Sequence, residues 1–304
     1  REDLQDALVS ISPTETPVMS AIGRKNVNNT YFEWGVVDLA AASGSNRVIE
    51  GEAAPGNDAP TNAVRQANYT QISDKVVEVS DTANAVKGAA DAQTTAKQIA
   101  YKLKELKRDM ERMICDNVAA SAGASGTARQ TAGLPAFLRT NVSRGTSGAD
   151  GTTSGTGTAG YVNAAATDGT ARAITESLLK TVIADCWDAG AEPSLVICGS
   201  SQKQTISTFT GNSTKFKEIT DKTLSAAIDI YVSDFGELQI VPSRLSRTRD
   251  VLVLDPNYAR VAYLQPTTQK ELSRTGHAER RLISVEYGLQ VDNEAAHGAV
   301  ADVS

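Results

Sequence analysis

The chain has 304 residues, a formal net charge of −6, 40% hydrophobic and only 5% aromatic residues. This length allows one large or two small domains, and the acidic balance excludes a generic nucleic-acid binder. Few aromatics argue against a deep aromatic-lined pocket, and with no apolar run of spanning length and no charged-then-apolar leader visible, no membrane partner is expected. Cys115, Cys186 and Cys198 form no C-x-x-C pair and read as ordinary buried thiols in a reducing compartment.

Residues 1–23 open with a short amphipathic piece, Leu4, Leu8, Val9 and Ile11. Pro13 and Pro17 break it, because each proline biases its predecessor away from helix. Val18, Met19 and Ile22 follow, and Gly23 is expected to end a turn. This predicts an arm with one or two short helices, not a packed domain. Residues 30–37, around Tyr31-Phe32-Glu33-Trp34, read as a strand, and residues 68–79 as a second. About 30 residues of small and acidic side chains separate them, more than a compact connection needs. Two strands around such a loop make a hairpin arm that cannot bury its own faces and needs another surface. Its acidic cluster, Glu50, Glu52 and Asp58, reads as a solvated tip, as a partner for a basic patch on a neighbour, or as a weak divalent-ion site.

Residues 91–122 read as one helix, roughly 45 Å long. Ile99, Leu103, Leu106, Met110, Met113/Ile114 and Val118 recur at steps of four and three on a single stripe. Asp91 can cap its start, and Gly123 suits the left-handed residue after its end. Charged side chains, Lys104, Arg108 and Glu111 among them, fill the other faces. A one-striped helix of this length needs a flat partner. A dimeric coiled coil is one option, although the stripe covers only about three heptads. The other, preferred here, is a sheet of the same chain made partly from the hairpin's base strands and residues 282–291.

Beyond the helix, residues 123–169 read as loose, with a packed patch at 133–138 and a mobile Gly/Ser/Thr-rich loop at 144–160. Residues 171–189 predict a second helix with Ile174, Leu178, Val182, Ile183, Cys186 and Trp187 on its apolar face, stopped by Gly190. Short strands are expected at 195–198, 228–232, 238–241, 251–254, 260–265 and 282–291, with a short helix at 202–209. The half after residue 170 is therefore mixed α/β.

Chemical motifs are scarce. Gly155-Thr156-Gly157-Thr158-Ala159-Gly160 matches G-x-G-x-x-G but lacks a preceding strand. Asp234-Phe235-Gly236 reads as a plain hairpin turn. Gly199-Ser200-Ser201 follows a strand like a nucleophile elbow without its second glycine, and its amides could cradle an anion. The two histidines, His277 and His297, have no metal-spaced neighbours. There are two basic clusters, Lys102/Lys104/Lys107/Arg108/Arg112 and Arg244/Arg247/Arg249; the first reads as a solvated helix face, and either could make screened nucleic-acid contacts if the protein lines a container. No catalytic residue, cofactor or metal site is expected.

The extended pieces, in this order, resemble tailed-bacteriophage major capsid proteins of the Hong Kong ninety-seven-type fold. The resemblance is carried by Ser12-Pro13-Thr14-Glu15-Thr16-Pro17 in the arm, Tyr31-Phe32-Glu33-Trp34, Val48-Ile49-Glu50-Gly51 and Gln71-Ile72 with Val79-Ser80-Asp81-Thr82 around the loop. Later come Gly190-Ala191-Glu192-Pro193, Tyr231 to Gly236, Leu254-Asp255-Pro256 and Glu286 to Val291. It covers nearly the whole chain except residues 144–169. It implies an α+β fold with an N-terminal arm (1–27), an extended β-hairpin loop across a neighbouring subunit (28–80), a peripheral domain with the spine helix (81–125 and 260–304) and an axial domain (126–259). The implied function is a shell subunit, self-assembling into hexamers and pentamers around double-stranded DNA held by non-specific contact. Decoration, scaffolding and portal proteins would be further partners, and the location would be the virion capsid, assembled in the bacterial host's cytoplasm. Candidate inter-subunit contacts are Trp34, Arg47, Glu50, Glu52, Lys104 and Arg108. Some relatives cross-link through a loop lysine, but none lies between Lys25 and Lys75, so isopeptide chemistry is not expected. An encapsulin-type nanocompartment is the nearest alternative, and a serine hydrolase using Ser200 or Ser201 a more distant one. Whether a prodomain precedes Arg1 stays open.

Overall fold

The structure, a computed structural model, describes residues 14–51, 53, 60–86, 94–209, 230–274 and 276–304. Leu4, Leu8, Val9, Ile11, Glu52, Asp58 and Asp91 lie outside them. In chain order the first elements are α1 (Pro17–Ala21), β1 (Gly23–Asn26), β2 (Tyr31–Val36), β3 (Val64–Tyr69), β4 (Gln71–Ser80), α2 (Asp81–Ala85), α3 (Thr95–Ile114) and α4 (Leu134–Phe137). There follow β5 (Val142–Ser143), β6 (Thr152–Thr153), β7 (Val162–Ala164), α5 (Glu176–Asp188), β8 (Leu195–Cys198) and α6 (Ser200–Ile206). The last are β9 (Ile230–Ser233), β10 (Gly236–Pro242), β11 (Val251–Leu254), β12 (Ala259–Glu271), β13 (Ala278–Val291) and β14 (Gly298–Val300).

Two sheets carry the fold. One has the order β1-β12-β13-β4, the other β5-β14-β11-β8-β10-β9, and β2-β3 and β6-β7 form separate ribbons. Helix α3 packs on β4 and β13 of the first sheet. Its Leu106, Met110 and Ile114 share one core with Val77, Val79, Ile283, Val285 and Tyr287. The apolar stripe thus meets a sheet of its own chain. A second core joins Leu179, Val182, Ile183 and Cys186 of α5 to Val196, Leu238, Ile240, Val251 and Val253 of the other sheet.

The helix is shorter than its periodicity suggests. It ends at Ile114, with Cys115 as its cap residue. Beyond it, tertiary backbone bonds replace the helical ladder: Gly133 N–H donates to Val118, Ala120 N–H to Val162 and Ser121 N–H to Gln130. At Gly133 this crossing leaves no room for a side chain, because a Cβ would lie 1.8 Å from the Asp116 carbonyl oxygen. Gly123 does have a left-handed backbone, φ +74, but before the tight turn at Ala124–Thr127 and not at the helix end.

Other departures have similar causes. Residues 68–79 form two strands, not one, because the chain changes sheets at Thr70. Strand β12 runs past Pro266 to Glu271, with register shifts between Tyr263 and Thr268 absorbing the missing donor. Gly23 starts a strand instead of ending a turn, so part of the expected arm belongs to the first sheet, in parallel register with β12. Strand β14, inside the expected 260–304 block, pairs in the other sheet. Residues 144–160 are not a free loop. They hold β6, which pairs with β7 just beyond them, and Gly160 bonds both Arg65 and Ala67 of β3. Trp187 is half exposed, its ring tilted against Phe235 at 5.1 Å, while Leu179 takes the expected core place.

Met110 and Leu106 are each 2% exposed, so an aspartate there would be a buried charge without a partner. Met110→Asp is expected to abolish folding of the subunit, whereas Met110→Leu costs under about 1.5 kcal/mol. Soluble yield and thermal unfolding read the difference. Folded Met110→Asp monomers would place the stripe at an interface instead.

Candidate inter-subunit surface

The arm enters the core through a five-residue helix that cannot cap itself. Thr16 makes no side-chain capping bond to α1, so its first amides need another acceptor. Glu111 of α3 supplies it. Val18 N–H donates to Glu111 Oε1 at 2.8 Å and Met19 N–H to Oε2 at 2.9 Å. Burial pushes the Glu111 carboxyl above its ordinary range, against the pull of these two amides. Val18, Met19 and Ile22 are buried beside it. The periodicity of α3 placed Glu111 among solvated charges. Its position directly after Met110, on the flank of the stripe, was the available signal.

The hairpin is rooted in a second buried network. Strands β2 and β3 pair from Tyr31 opposite Tyr69 to Val36 opposite Val64. Phe32, Trp34 and Val36 face the chain's own core, and Phe32 fills the space left by Gly288, where a Cβ would approach its ring to 2.8 Å. Asn68 is fully buried. Its Nδ2 donates to Thr131 Oγ1 at 3.0 Å and to the Leu289 carbonyl at 2.7 Å, and its Oδ1 accepts from Ala132 N–H at 3.0 Å. Thr70, where the chain leaves the hairpin, donates its hydroxyl to Glu286 at 2.8 Å and accepts from Arg129 Nε at 2.7 Å. Arg129 and Glu286 also form an ion pair.

Three further joints follow the same plan. Glu294 accepts from the Arg139 and Thr140 amides at 3.0 and 3.2 Å and from the Thr140 hydroxyl. Asp302, at φ +57, accepts from Gly145 and Gly169 N–H at 3.0 and 2.8 Å and pairs with Arg249. Arg247 bonds Asp168 and Asp250 and lies 3.8 Å from Asp116. Its guanidinium holds the Asp168 carboxyl below the usual range, while burial raises Asp250. Arg247 and Arg249, members of one of the two basic clusters of the sequence, are therefore structural ion-pair residues.

The expected contact residues divide. Trp34 is buried in its own chain, stacked on Phe32 and against Phe137, so its ring is not on offer to a neighbour. Arg47, Glu50 and Lys104 are exposed and Arg108 is half-buried. Leu39, Val48 and Ile49 are 84%, 72% and 75% exposed, an apolar set on the loop that its own chain does not cover.

The enzymatic candidates do not converge. Ser201 Oγ donates to Gln202. His297 is buried near Asp255 and Tyr258, its pKa lowered to about 4 by burial. Asp255 follows Leu254, which pairs with Leu195 at the opposite end of β8 from Ser200 and Ser201. In the G-x-G-x-x-G stretch Gly155 N–H is bonded to Ala159 and Gly160 N–H to Arg65 of β3. Asp234-Phe235-Gly236 is the β9-β10 turn. Among the described residues no group of His, Cys, Asp and Glu could hold a metal ion, and no helix is long and apolar enough to cross a membrane.

The family model for the SU10 major capsid protein matches residues 1–304. The major capsid protein of Escherichia phage Phieco32 is 40% identical over 105 residues, 34% of this chain and 29% of that protein. This chain therefore aligns with less than a third of that relative's length. A solved chain from Gordonia phage Cozz is similar in fold, with a TM-score of 0.64 and 13% identity over 100% of this chain and 91% of that one. The capsid of Cyanophage P-SCSP1u gives 0.61 and 10% identity, covering 100% and 93%.

Glu111→Ala would leave two buried amides without an acceptor, at about 1–3 kcal/mol each. Hydrogen exchange at Val18 and Met19 is expected to speed up about tenfold or more, with little change at Leu289. Unchanged exchange at both would show that apolar contacts alone hold the arm.

Proposed function

The chain belongs to the SU10 major capsid protein family and has the Hong Kong ninety-seven-type capsid fold, and on that premise we propose that it builds an icosahedral shell of hexamers and pentamers around phage DNA, in the cytoplasm of a bacterial host. The observation that carries this reading is the loop between β2 and β3. It leaves a root fixed by Asn68, Thr70 and Glu286 and presents Leu39, Val48 and Ile49 to solvent. A monomer gains nothing from exposing them, whereas a neighbour that covers them gains apolar burial at about 25 cal/mol per Å².

Its role is structural and non-enzymatic. Strength comes from summing many repeated subunit contacts, each of which need not be tight. The loop between β2 and β3 reaches neighbours, the lobe of α3 and the β1-β12-β13-β4 sheet forms the periphery, and residues 126–259 together with β14 form the axial lobe at capsomer centres. Head-to-tail contacts between identical subunits close into rings when the rotation allows. The net charge of −6 suits an inner wall that touches DNA without gripping it. Membership of a phage capsid family favours this over a nanocompartment. Decoration, scaffolding and portal proteins would join the same shell.

Purified protein is expected to sediment as capsomers or as much larger particles, visible as shells by electron microscopy. Clean monomer at micromolar concentration under several conditions would contradict the proposal. Mature shells should also run as single chains on a denaturing gel, since no lysine lies between Lys25 and Lys75. A covalent ladder would overturn that part.

A further inference from the structure

The chain crosses between its two sheets at a pair of matched turns. From β11 to β12 it runs through Asp255 to Tyr258, and from β13 to β14 through Asp292 to His297. Each turn is capped from within: Asp255 Oδ1 accepts from Asn257 N–H at 3.0 Å, and Asn293 Oδ1 from Ala295 N–H at 3.1 Å. His297, fully buried, joins the two. Its Nδ1 accepts from the Asp255 amide at 3.3 Å, and its Nε2 faces the Tyr258 carbonyl at 3.4 Å. The Asp292 amide donates to that same carbonyl at 2.8 Å. Only a neutral imidazole with its proton on Nε2 satisfies both ring contacts.

A second proton finds no partner here. On Nδ1 it would point at an N–H donor. Among the described residues the charged groups facing the ring are Asp255 and Asp292, with Glu294 in its own turn. All three are already engaged. Asp255 holds Asn257, Asp292 pairs with Arg260 and accepts from Gln290, and Glu294 holds the Arg139–Thr140 turn. None of the three carboxylates bonds the ring. Burial therefore holds the imidazole pKa at about 4, against the pull of Asp255 and Asp292. We propose that His297 is an acid-released pin between the two sheets. Neutral, it fastens one crossing to the other; protonated, it leaves its seat and frees the sheets to shift against each other. In an opened chain a histidine takes its proton near about 6.5. Opening is thus coupled to proton uptake. The pin is secure above about pH 6.5 and weakens as pH falls towards about 4.

The pin lies within one subunit, so it holds or fails apart from the shell reading. Hydrogen exchange on the full chain at about pH 7 and about pH 5, corrected for intrinsic rates, tests it. Sedimentation checks that the assembly state is the same at both. Protection of the Asp255 and Asp292 amides is expected to fall about tenfold or more at the lower pH. Val196 and Ile283, inside the two sheets, should keep theirs. His297→Gln cannot titrate and should show equal protection at both pH values. His277→Gln, which replaces the exposed second histidine, should reproduce the parent's fall. Equal protection of Asp255 in the parent at both pH values overturns the proposal, whether or not the variant folds. So does a fall that His297→Gln retains, or one shared by Val196 and Ile283, which is global unfolding.

Discussion

The structure depends on one constraint: where distant segments of this chain meet, buried backbone amides must find acceptors, and single side chains provide them. Glu111 closes the start of α1 from across the core. Asn68 ties β3 to Ala132 and to β13. Glu294 holds the Arg139–Thr140 turn, and Asp302 gathers Gly145 and Gly169. Each of these side chains is at most 3% exposed. A buried polar group of this kind adds modest net stability when satisfied, but losing it strands its donors and costs more than it contributed. The joints are therefore specific as well as cohesive.

This arrangement divides the chain into fixed roots and free extensions. The arm is gripped at Pro17–Ala21 and the loop at Tyr31–Val36 and Val64–Tyr69. Between the two grips on the hairpin, the described residues from Val37 to Glu50 are exposed. A shell subunit meets neighbours at slightly different angles in hexamers and pentamers. Firm anchoring at the root, with adaptable contact beyond it, is a physical means of meeting that demand without strain in the core.

Much of this was legible in the residues. The 3.6-residue stripe of α3 found its partner sheet, and the β-forming residues of β2 and the apolar runs of β8 and β11 located those strands. What escaped was tertiary. Glu111 and Asp302 look like any surface carboxylate because their partners are amides more than 90 residues away. Trp34 sits in the stretch expected to touch a neighbour, yet the β2-β3 ribbon folds it inward onto Phe137. The Gly/Ser/Thr-rich segment looked unstructured because composition does not reveal that its backbone is pinned by Asp302 and β3. Periodicity likewise could not end α3 at Ile114, since the competing bonds come from Gly133, Gln130 and Val162.

The account's central claim is that the roots are set within one subunit and the extensions settle on another. Hydrogen exchange on free subunits and on assembled shells tests it most directly. The account predicts that Ala132 and Leu289, at the hairpin root, are equally protected in both states, whereas residues 37–50 become protected only in shells. Loop amides that exchange as freely in shells as in free subunits would contradict it.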